Sequence, residues 1–333
     1  MIGSEILLGA VQGREAAAWV EDGQLQDLLI DGDAPRPGTI YRAKATRPMK
    51  GQGGMFLTTP DGTAFLRGVK GIAPGDMLLV QVTGYAESGK AIPVTAKVLF
   101  KSRYVIVTPE APGINISRAI RDEEQRLAIR AAAETELAET SGYGLILRSA
   151  CADADPDAIG EDVDTMIGLA QAVLSDTGTG VEKLSEGSGP HELAWRDWPS
   201  EAPRDADLAE YVDAALSDFV QLKGGASFWV EATRACITVD VNTGGDSSMA
   251  AGLKANIATA QALPAALRTR GLGGQIVVDF APMPKRDRAA LESVLRAALR
   301  KDDIETALVG WTAMGLYELN RKRARLPLRE ILR

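Results

Sequence analysis

The segment Ala235-Cys-Ile-Thr-Val-Asp-Val-Asn-Thr-Gly-Gly245 decides how the rest of the chain is interpreted. Its alternation places Val239 and Val241 on one face of a strand, and Asp240 and Asn242 on the other. The two glycines end the strand. Both polar side chains therefore lie at its C-terminal end, beside a loop that can approach a ligand closely.

A second segment, Gly273-Gly-Gln-Ile-Val-Val-Asp-Phe-Ala-Pro282, predicts a buried strand, because its apolar run is unbroken. Its single acid, Asp279, again lies at the strand's end. A helical pattern between the two segments allows the strands to be neighbours, with both aspartates at one edge of a sheet. Two carboxylates and an amide would suit a hard cation such as Mg²⁺ or Mn²⁺. Alternatively, each acid only caps the turn or helix that follows it.

Composition bounds the class of protein. The chain has 333 residues, enough for a large core and two or more domains. It contains no apolar run near the ~20 residues of a membrane span, and its N-terminus lacks the order of a signal peptide, so we expect a cytoplasmic protein without a membrane segment. Cys151 and Cys236 lie outside any CxxC pattern, so we expect reduced thiols and no zinc.

The single histidine, His191, excludes chemistry that runs on paired imidazoles. It lies in a loop-like stretch and is expected at the surface. Any catalysis should therefore use carboxylates and a metal ion.

Charge is distributed unevenly along the chain, whose net charge is −8. Residues 151–220 contain seventeen acids and three bases, a balance of −14, whereas residues 282–333 contain twelve bases and seven acids, a balance of +5. This asymmetry favours one face that binds a polyanion. Two ordinary solvated surfaces are the alternative.

The N-terminal hundred residues are rich in strand patterns. Residues 5–12 and 15–32 predict strands, and residues 39–98 predict five short strands, which suit a small OB-type barrel. Such barrels bind single strands by stacking bases on aromatic rings beside basic residues. Phe56 and Phe65 flank a hairpin turn and are the aromatic candidates, although both could be core. The positive charges nearby are Lys44, Lys50, Arg67 and Lys90.

Strands at 103–107 and 143–148 flank a predicted helix at 121–139. Arg148 and Ser149 follow the second strand, where a guanidinium and a hydroxyl could hold a terminal phosphate, with Arg118 beside them. A solvated arginine is the alternative.

The C-terminal half predicts helices, with a loop at 185–203. The helices are expected at 157–176, 205–222, 253–270 (kinked at Pro264), 285–301 and 314–325. Two of them have basic ends, with Lys285 and Arg286 in one and Arg321 and Arg323 in the other. These four residues are candidates for contacts with a phosphate backbone; for the last pair, favourable helix-end charge is the alternative.

Three motifs together resemble the catalytic half of the ribonuclease E/G family. They are Ile237-Thr-Val-Asp-Val-Asn242, Gly271-Leu-Gly-Gly-Gln-Ile-Val-Val-Asp-Phe280 and Gly315-Leu-Tyr-Glu-Leu-Asn-Arg-Lys-Arg323. The N-terminal half is similar as well, through Asn115-Ile-Ser-Arg118 and Leu147-Arg148-Ser149.

The resemblance implies a multidomain α+β fold, in which an OB-type β-barrel is inserted in a ribonuclease H-like domain and a DNase I-like α/β catalytic domain follows. The implied boundaries are 1–36 and 157–222 for the ribonuclease H-like parts, 37–100 for the RNA-binding barrel, 101–156 for a 5′-sensor-like segment and 223–333 for the catalytic domain.

The resemblance also implies an activity. Asp240 and Asp279 would hold one Mg²⁺, with Mn²⁺ as a substitute, and Asn242 would orient a carboxylate or the scissile phosphate. Cleavage would be endonucleolytic, in single-stranded, A/U-rich RNA during processing or decay, leaving 5′-phosphate and 3′-hydroxyl ends. Phe56, Phe65 and Lys90 would grip RNA. Arg118, Arg148 and Ser149 would sense a 5′ monophosphate.

The sequence departs from the family pattern in three places. The loop Thr243-Gly-Gly-Asp-Ser-Ser-Met249 is short and lacks the usual arginine and glutamates, and Ala119 replaces the sensor's second arginine. No CxxC follows the last basic segment, so we expect a monomer or a zinc-free dimer rather than the zinc-linked tetramer. Two alternatives stay open: an RNA-binding protein without cleavage, favoured by the short loop, and, ranked last, a phosphodiesterase that acts on DNA.

Overall fold

The computed structural model of the chain describes residues 3–49, 53–87, 89–137, 142–199, 202–246, 248 and 250–333. Lys50, two residues of the loop after Asn242 (Ser247 and Met249) and the C-terminal end of the predicted 121–139 helix lie outside these ranges. Among the described residues, no helix combines the length and apolar character of a membrane span.

The strands, in chain order, are β1 (Ser4–Val11), β2 (Arg14–Glu21), β3 (Gln24–Ile30), β4 (Ile40–Met49), β5 (Gly54–Thr59), β6 (Gly62–Arg67), β7 (Met77–Val82), β8 (Ile92–Thr95), β9 (Phe100–Lys101), β10 (Val105–Thr108), β11 (Gly113–Ile116), β12 (Gly144–Leu147), β13 (Glu182–Ser185), β14 (Arg204–Asp205), β15 (Phe219–Gln221), β16 (Ser227–Ala232), β17 (Ile237–Asn242), β18 (Gly274–Asp279), β19 (Thr306–Trp311) and β20 (Tyr317–Arg321). The α-helices are α1 (Glu123–Leu137), α2 (Pro156–Leu174), α3 (Pro190–Asp197), α4 (Ala209–Leu216), α5 (Ala251–Thr269), α6 (Arg288–Arg300) and α7 (Leu328–Ile331). Short 3₁₀ turns cover Ser149–Asp153 and Lys285–Asp287.

The chain divides into two compact units. One comprises Met1–Asp33 and Pro199–Arg333, and the other comprises Ala34–Trp198. The five segments expected from the sequence stay a prediction.

The unit Ala34–Trp198 contains a closed barrel. Strands β4, β5, β6, β8 and β7 follow one another, and β4 pairs with β7 to close the ring, while β13 adds to β4 from outside the ring. Alternate residues fill its centre, among them Tyr41, Leu57 and Leu66, because successive side chains of a strand point to opposite faces. A closed five-stranded barrel agrees with the predicted OB-type barrel.

The same unit contains a second, four-stranded sheet in the order β11-β12-β10-β9. Apolar residues of α1 and α2 cover it, including Ile129, Val163 and Ile167. Cys151 is buried in this core, and burial raises the pKa of its thiol to about 11. The thiol is therefore protonated at neutral pH.

The unit that carries the chain termini begins with a sheet in the order β14-β1-β2-β3. Its core contains Leu7, Ala18 and Leu28, with Leu208 and Val212 from α4 and the turn before it. The larger sheet of this unit has the order β15-β16-β17-β18-β20-β19, and only β17 and β18 are parallel among its pairs.

Helices α5 and α6 cover one face of this larger sheet. Leu263, Leu267, Leu291 and Leu295 pack against the inward side chains of the central strands, such as Val239. The opposite side chains of β17 and β18 are exposed, except for the half-buried Val277. One face is thus a core and the other faces solvent, which is the arrangement that the alternation in the sequence indicates.

Most elements confirm the sequence predictions, including the mixed α+β class and strands β5, β7, β17 and β18. The predicted helix at 314–325 is wrong, because residues 317–321 form strand β20 with alternating burial. The predicted helix at 205–222 is also wrong at its C-terminal end, where β15 forms. The predicted loop at 185–203 contains α3, with the half-buried His191 in its first turn.

Asp27 on β3 is buried among arginines. Arg325 Nη2 lies 2.8 Å from Asp27 Oδ2, and Arg268 Nε lies 3.5 Å from the same oxygen. Burial alone would raise the pKa of this carboxyl, but the two guanidinium groups and the Leu28 N–H hold it below its ordinary value.

This environment makes stability depend on acid. Because the folded pKa of Asp27 is depressed, its contribution is complete above the unfolded pKa, near 3.8, and is lost as pH falls through the folded value. We expect Asp27→Asn to lower the free energy of unfolding at pH 7, and the difference from wild type to shrink as pH is lowered below 3.8. Urea denaturation at pH 7 and over a series of lower pH values measures this. A difference that stays constant with pH would contradict the assignment.

Candidate active site and RNA-binding surfaces

The two aspartates singled out in the sequence are neighbours. Strands β17 and β18 run parallel, and Asp240 is the direct partner of Asp279 in their register. Adjacent strands lie about 4.8 Å apart, and paired residues share a face. Both side chains are exposed on the face that the helices leave open. The prediction that the strands are neighbours with both aspartates at one edge is therefore confirmed.

Asn242 belongs to the same cluster. It follows Asp240 by two residues on the same face, and its Nδ2 donates a hydrogen bond of 2.9 Å to Asp240 Oδ2. This bond restricts the rotation of the Asp240 carboxylate and engages one of its two oxygens. Asn242 can therefore orient the carboxylate, which is one of the two roles expected for it.

A third residue, Asn256, anchors the end of β18 where Asp279 lies. This role was not predicted from the sequence. It is fully buried on α5, and its amide donates to the carbonyl of Ala281 at 2.9 Å and accepts from the N–H of Ala281 at 2.9 Å. The two bonds tie the chain just after Asp279 to the helix. A lone asparagine on an apolar helix face was the available signal.

The glycine loop after Asn242 packs closely on protein. Gly244 has a φ of +64°, and a Cβ there would lie 2.1 Å from the carbonyl oxygen of Gly225, so only glycine fits. At Gly244 the loop therefore lies close to the turn between β15 and β16, and the close approach to a ligand expected of it stays a prediction. Asp246, further along, lies 3.5 Å from Lys254 Nζ on α5.

The carboxylate pair suits a small hard cation. Among the described residues no group of three His, Cys, Asp or Glu side chains converges, so the protein offers two carboxylates here. Mg²⁺ is commonly bound through one or two carboxylates while it keeps several waters or substrate oxygens. Two exposed acids in direct register, one of them oriented by an amide, fit that donor set.

Basic residues near this edge are exposed. Lys285 and Arg286 lie in the 3₁₀ turn that follows β18, and 84% of the Arg286 side chain is accessible. Arg288, at the start of α6, instead lies over the ring of Trp311, 4.0 Å from its centroid. Lys285 and Arg286 can therefore reach a phosphate.

The structure contradicts the assignment of Arg321 to RNA binding. Its side chain is completely buried, and its Nη1 lies 2.7 Å from Asp302 Oδ2, which is also buried. Strand β20 alternates, so Arg321 points into the protein. Arg323 is exposed, but its guanidinium packs over the backbone of Gly274, at the end of β18 opposite Asp279.

An aromatic pair lies on the outside of the barrel. Phe56 and Phe65 are directly paired on β5 and β6, and their half-buried rings lie 5.0 Å apart. The guanidinium of Arg47 lies 4.6 Å from the Phe56 centroid. Lys90 is exposed and pairs with Glu87 at 2.9 Å. Neither phenylalanine is in the core, so the alternative weighed in the sequence is excluded.

The candidate phosphate sensor is already engaged with protein. Arg148 Nη1 donates to the carbonyls of Ser102, Arg103 and Arg196, and its Nη2 lies 2.7 Å from Asp197 Oδ1. Desolvation would raise the pKa of Asp197, but the surrounding cations Arg196, Lys101 and Arg148 hold it well below its ordinary value.

The other two sensor residues are exposed. Arg118 lies in the turn after β11, and Ser149 begins the 3₁₀ turn that follows Arg148. Their role in sensing stays a prediction.

Comparison with known proteins places the chain in a family. The family model of the ribonuclease E/G family matches residues 100–202 and 196–324. The chain belongs to this family.

Individual relatives extend the match along the chain. The protein named Ribonuclease G in Escherichia coli (strain K12) is 26% identical over 405 aligned positions, which cover 99% of this chain and 82% of that protein. Ribonuclease G of Haemophilus influenzae is also 26% identical, over 98% of this chain and 81% of its own length. Ribonuclease E of Nostoc sp. (strain PCC 7120) is 25% identical, over 94% of this chain and 55% of its own.

Proposed function

We propose that the protein is a Mg²⁺-dependent endoribonuclease that hydrolyses single-stranded RNA to 5′-phosphate and 3′-hydroxyl ends. Family membership supports an endoribonuclease in RNA processing. The observation that carries the proposed chemistry is the direct pairing of Asp240 with Asp279 on the exposed face of the sheet, near the C-terminal ends of β17 and β18. A/U-rich RNA, a cytoplasmic location and use of Mn²⁺ belong to the proposal.

Each residue of the candidate site has its own role in the proposed reaction. Asp240 and Asp279 would hold the ion, and Asn242 keeps the Asp240 carboxylate in position through its 2.9 Å hydrogen bond. When bound, Mg²⁺ supplies Lewis-acid stabilisation of the phosphoryl oxygens and activates water. Lys285 and Arg286 bind neighbouring phosphates. Attack by water at phosphorus breaks the bond to the 3′ oxygen, which leaves as the hydroxyl.

The finer domain assignment is also part of the proposal. The six-stranded sheet with α5 and α6 would be the DNase I-like catalytic domain, and the sheet that contains β1 would be the first part of the ribonuclease H-like domain. What supports this is the order of elements along the chain, with the barrel between β3 and β14.

The barrel would bind RNA by stacking bases on Phe56 and Phe65. We expect Phe56→Ala to weaken binding of a single-stranded RNA about tenfold or more, since one base–aromatic stack is worth roughly 1–3 kcal/mol. Fluorescence anisotropy with a labelled RNA in EDTA measures this. Met77→Ala is a matched control, because Met77 is 36% exposed on β7, which does not neighbour β5. An equal loss of RNA affinity in both variants would argue against base stacking on Phe56 and Phe65.

The 5′-monophosphate sensor is proposed in a weakened form. A phosphate would have to displace Asp197 from Arg148, and Ala119 replaces the family's second arginine. Arg118 and Ser149 are the exposed groups that would accompany it. Cleavage rates for substrates with 5′-phosphate and 5′-hydroxyl ends should therefore differ little.

Cleavage of a 5′-labelled single-stranded RNA tests the function. We expect specific cuts in Mg²⁺, none in EDTA, and products with 5′-phosphate and 3′-hydroxyl ends. Salt-sensitive binding without turnover in any divalent ion would favour the non-catalytic RNA-binding alternative. Equal cleavage of an all-deoxy copy would favour a phosphodiesterase that also acts on DNA.

A further inference from the structure

We propose that Trp229 and Phe219 form a base-stacking subsite beside the catalytic carboxylates. The subsite would hold a nucleobase next to the scissile phosphate. This inference rests on the proposed function, because it assigns a substrate contact to the same exposed face of the sheet.

The sheet register places the pair in line with the two aspartates. Phe219 on β15 pairs with Trp229 on β16, Trp229 pairs with Asp240 on β17, and Asp240 pairs with Asp279 on β18. Directly paired residues point to the same face. The four side chains therefore form one row across four neighbouring strands, on the face that α5 and α6 do not cover.

Both rings are exposed, although the residues that flank Trp229 on its strand are buried in the core. Trp229 is 44% and Phe219 37% accessible, whereas Phe228 and Val230, which flank Trp229, are fully buried in the core. The ring centroids lie 5.2 Å apart at an interplanar angle of 61°. The hydrophobic core of this sheet includes neither ring, so the accessible parts of both rings can contact a ligand.

The chemistry of the site favours a nucleobase as that ligand. Two carboxylates repel a phosphate placed directly against them until a cation is bound, so an uncharged part of the RNA is favoured for the contact beside them. Bases stack on aromatic rings, and because every base has a π-face this contact tolerates any sequence.

The spacing fixes which base is held. Trp229 lies one strand, about 4.8 Å, from Asp240, and two strands from Asp279. A base stacked on Trp229 therefore belongs to a nucleotide next to the scissile phosphate, on the Asp240 side of the ion. Lys223 is exposed in the turn between β15 and β16, where it can meet the phosphate of that nucleotide.

A base-by-residue double-mutant cycle tests the subsite. A short single-stranded RNA with one known cut is prepared as a series, each member with an abasic site at a different position. We expect one abasic position next to the cut to lower kcat/KM and affinity about tenfold or more for the wild type. That position should have no effect in Trp229→Ala, whereas Trp229→Phe should keep the effect. Kinetics are measured in Mg²⁺ and affinity in EDTA.

The matched control is Val309→Ala, because Val309 is 62% exposed on β19, the other edge strand of the same sheet. It should respond to the abasic series as the wild type does. Circular dichroism establishes that each variant is folded, and quenching of Trp fluorescence by RNA should fall in Trp229→Phe but not in Val309→Ala.

Each outcome separates the two proposals. Cleavage by the wild type with equal abasic profiles in wild type and Trp229→Ala overturns the stacking subsite and leaves the nuclease. Coupling in binding without any cleavage retains the base contact and overturns the hydrolytic function. Conversion of a dimer to a monomer by Trp229→Ala, with RNA binding unchanged, would make the pair an interface between copies and overturn the subsite.

Discussion

Replacing Asp279 by asparagine should lower kcat by roughly 10³-fold or more while the fold and RNA affinity are retained. In the paired register, the carboxylate of Asp240 lies opposite position 279. A neutral amide cannot supply the second anionic ligand, so the charge stabilisation that the ion provides, worth several kcal/mol, is largely lost. Single-turnover cleavage of a labelled RNA in Mg²⁺ measures the loss, and anisotropy in EDTA measures affinity.

Glu231→Gln is the matched control for this experiment. Glu231 is an exposed acid on the same sheet face, paired with Thr238, two residues before Asp240. The Glu231→Gln substitution removes one negative charge from the same surface and should leave kcat within a few-fold of wild type. Equal losses in the two variants would mean that surface charge, rather than the pair, supports cleavage.

The largest expected effect on stability comes from Asp302→Ala. The Asp302 carboxylate is buried, with Arg321 Nη1 at 2.7 Å and Arg268 Nη1 at 3.0 Å. Arg268 retains Asp27 as a partner, but Arg321 would be left as a buried cation without a carboxylate. Breaking a buried pair in this way destabilises by about 3–5 kcal/mol. Urea denaturation measures the change in the free energy of unfolding.

Two further variants identify the cause of that loss. Asp303→Ala removes the exposed neighbouring acid and should change stability by no more than about 0.5 kcal/mol. Adding Arg321→Met to Asp302→Ala removes the stranded charge and should recover part of the loss. If the double variant is less stable than the single variant by the full cost of Arg321→Met alone, the stranded-charge explanation fails.

The sequence predicted the central strands of the site because their signals are local. Alternation in 237–242 and the apolar run before Asp279 each specify a strand and the position of its acid. The helical pattern between them allowed the strands to be neighbours with both acids at one end, since a strand, a helix and a second strand commonly form one parallel unit. Each of these signals lies in the two strands that carry the acids or in the segment between them.

The helix predicted at 314–325 is wrong because the run of basic residues obscured the alternating pattern of a strand. Tyr317, Leu319 and Arg321 alternate with polar residues, which is the period of a strand, yet the run of basic residues suggested a helix end. Arg321 is buried only because Asp302, nineteen residues earlier in the chain, supplies its counterion. No pattern within the segment contains that information.

The alignment of Phe219 and Trp229 with the two aspartates also could not be predicted from the sequence. Phe219 and Trp229 are separated from Asp240 and Asp279 by turns and a helix, and they align only through the register of three strand pairs. Register depends on long-range pairing rather than on local composition. The same reason hides Asn256, whose partner Ala281 lies beyond the helix that carries it.

The position of a bound Mn²⁺ ion tests the central claim most directly. Crystals soaked in Mn²⁺ should show one strong anomalous peak between the carboxylates of Asp240 and Asp279, and the peak should disappear in Asp279→Asn. Binding of Mn²⁺ at another site that supports RNA cleavage would contradict the account. Cleavage of RNA with no ion bound at this pair would also contradict it.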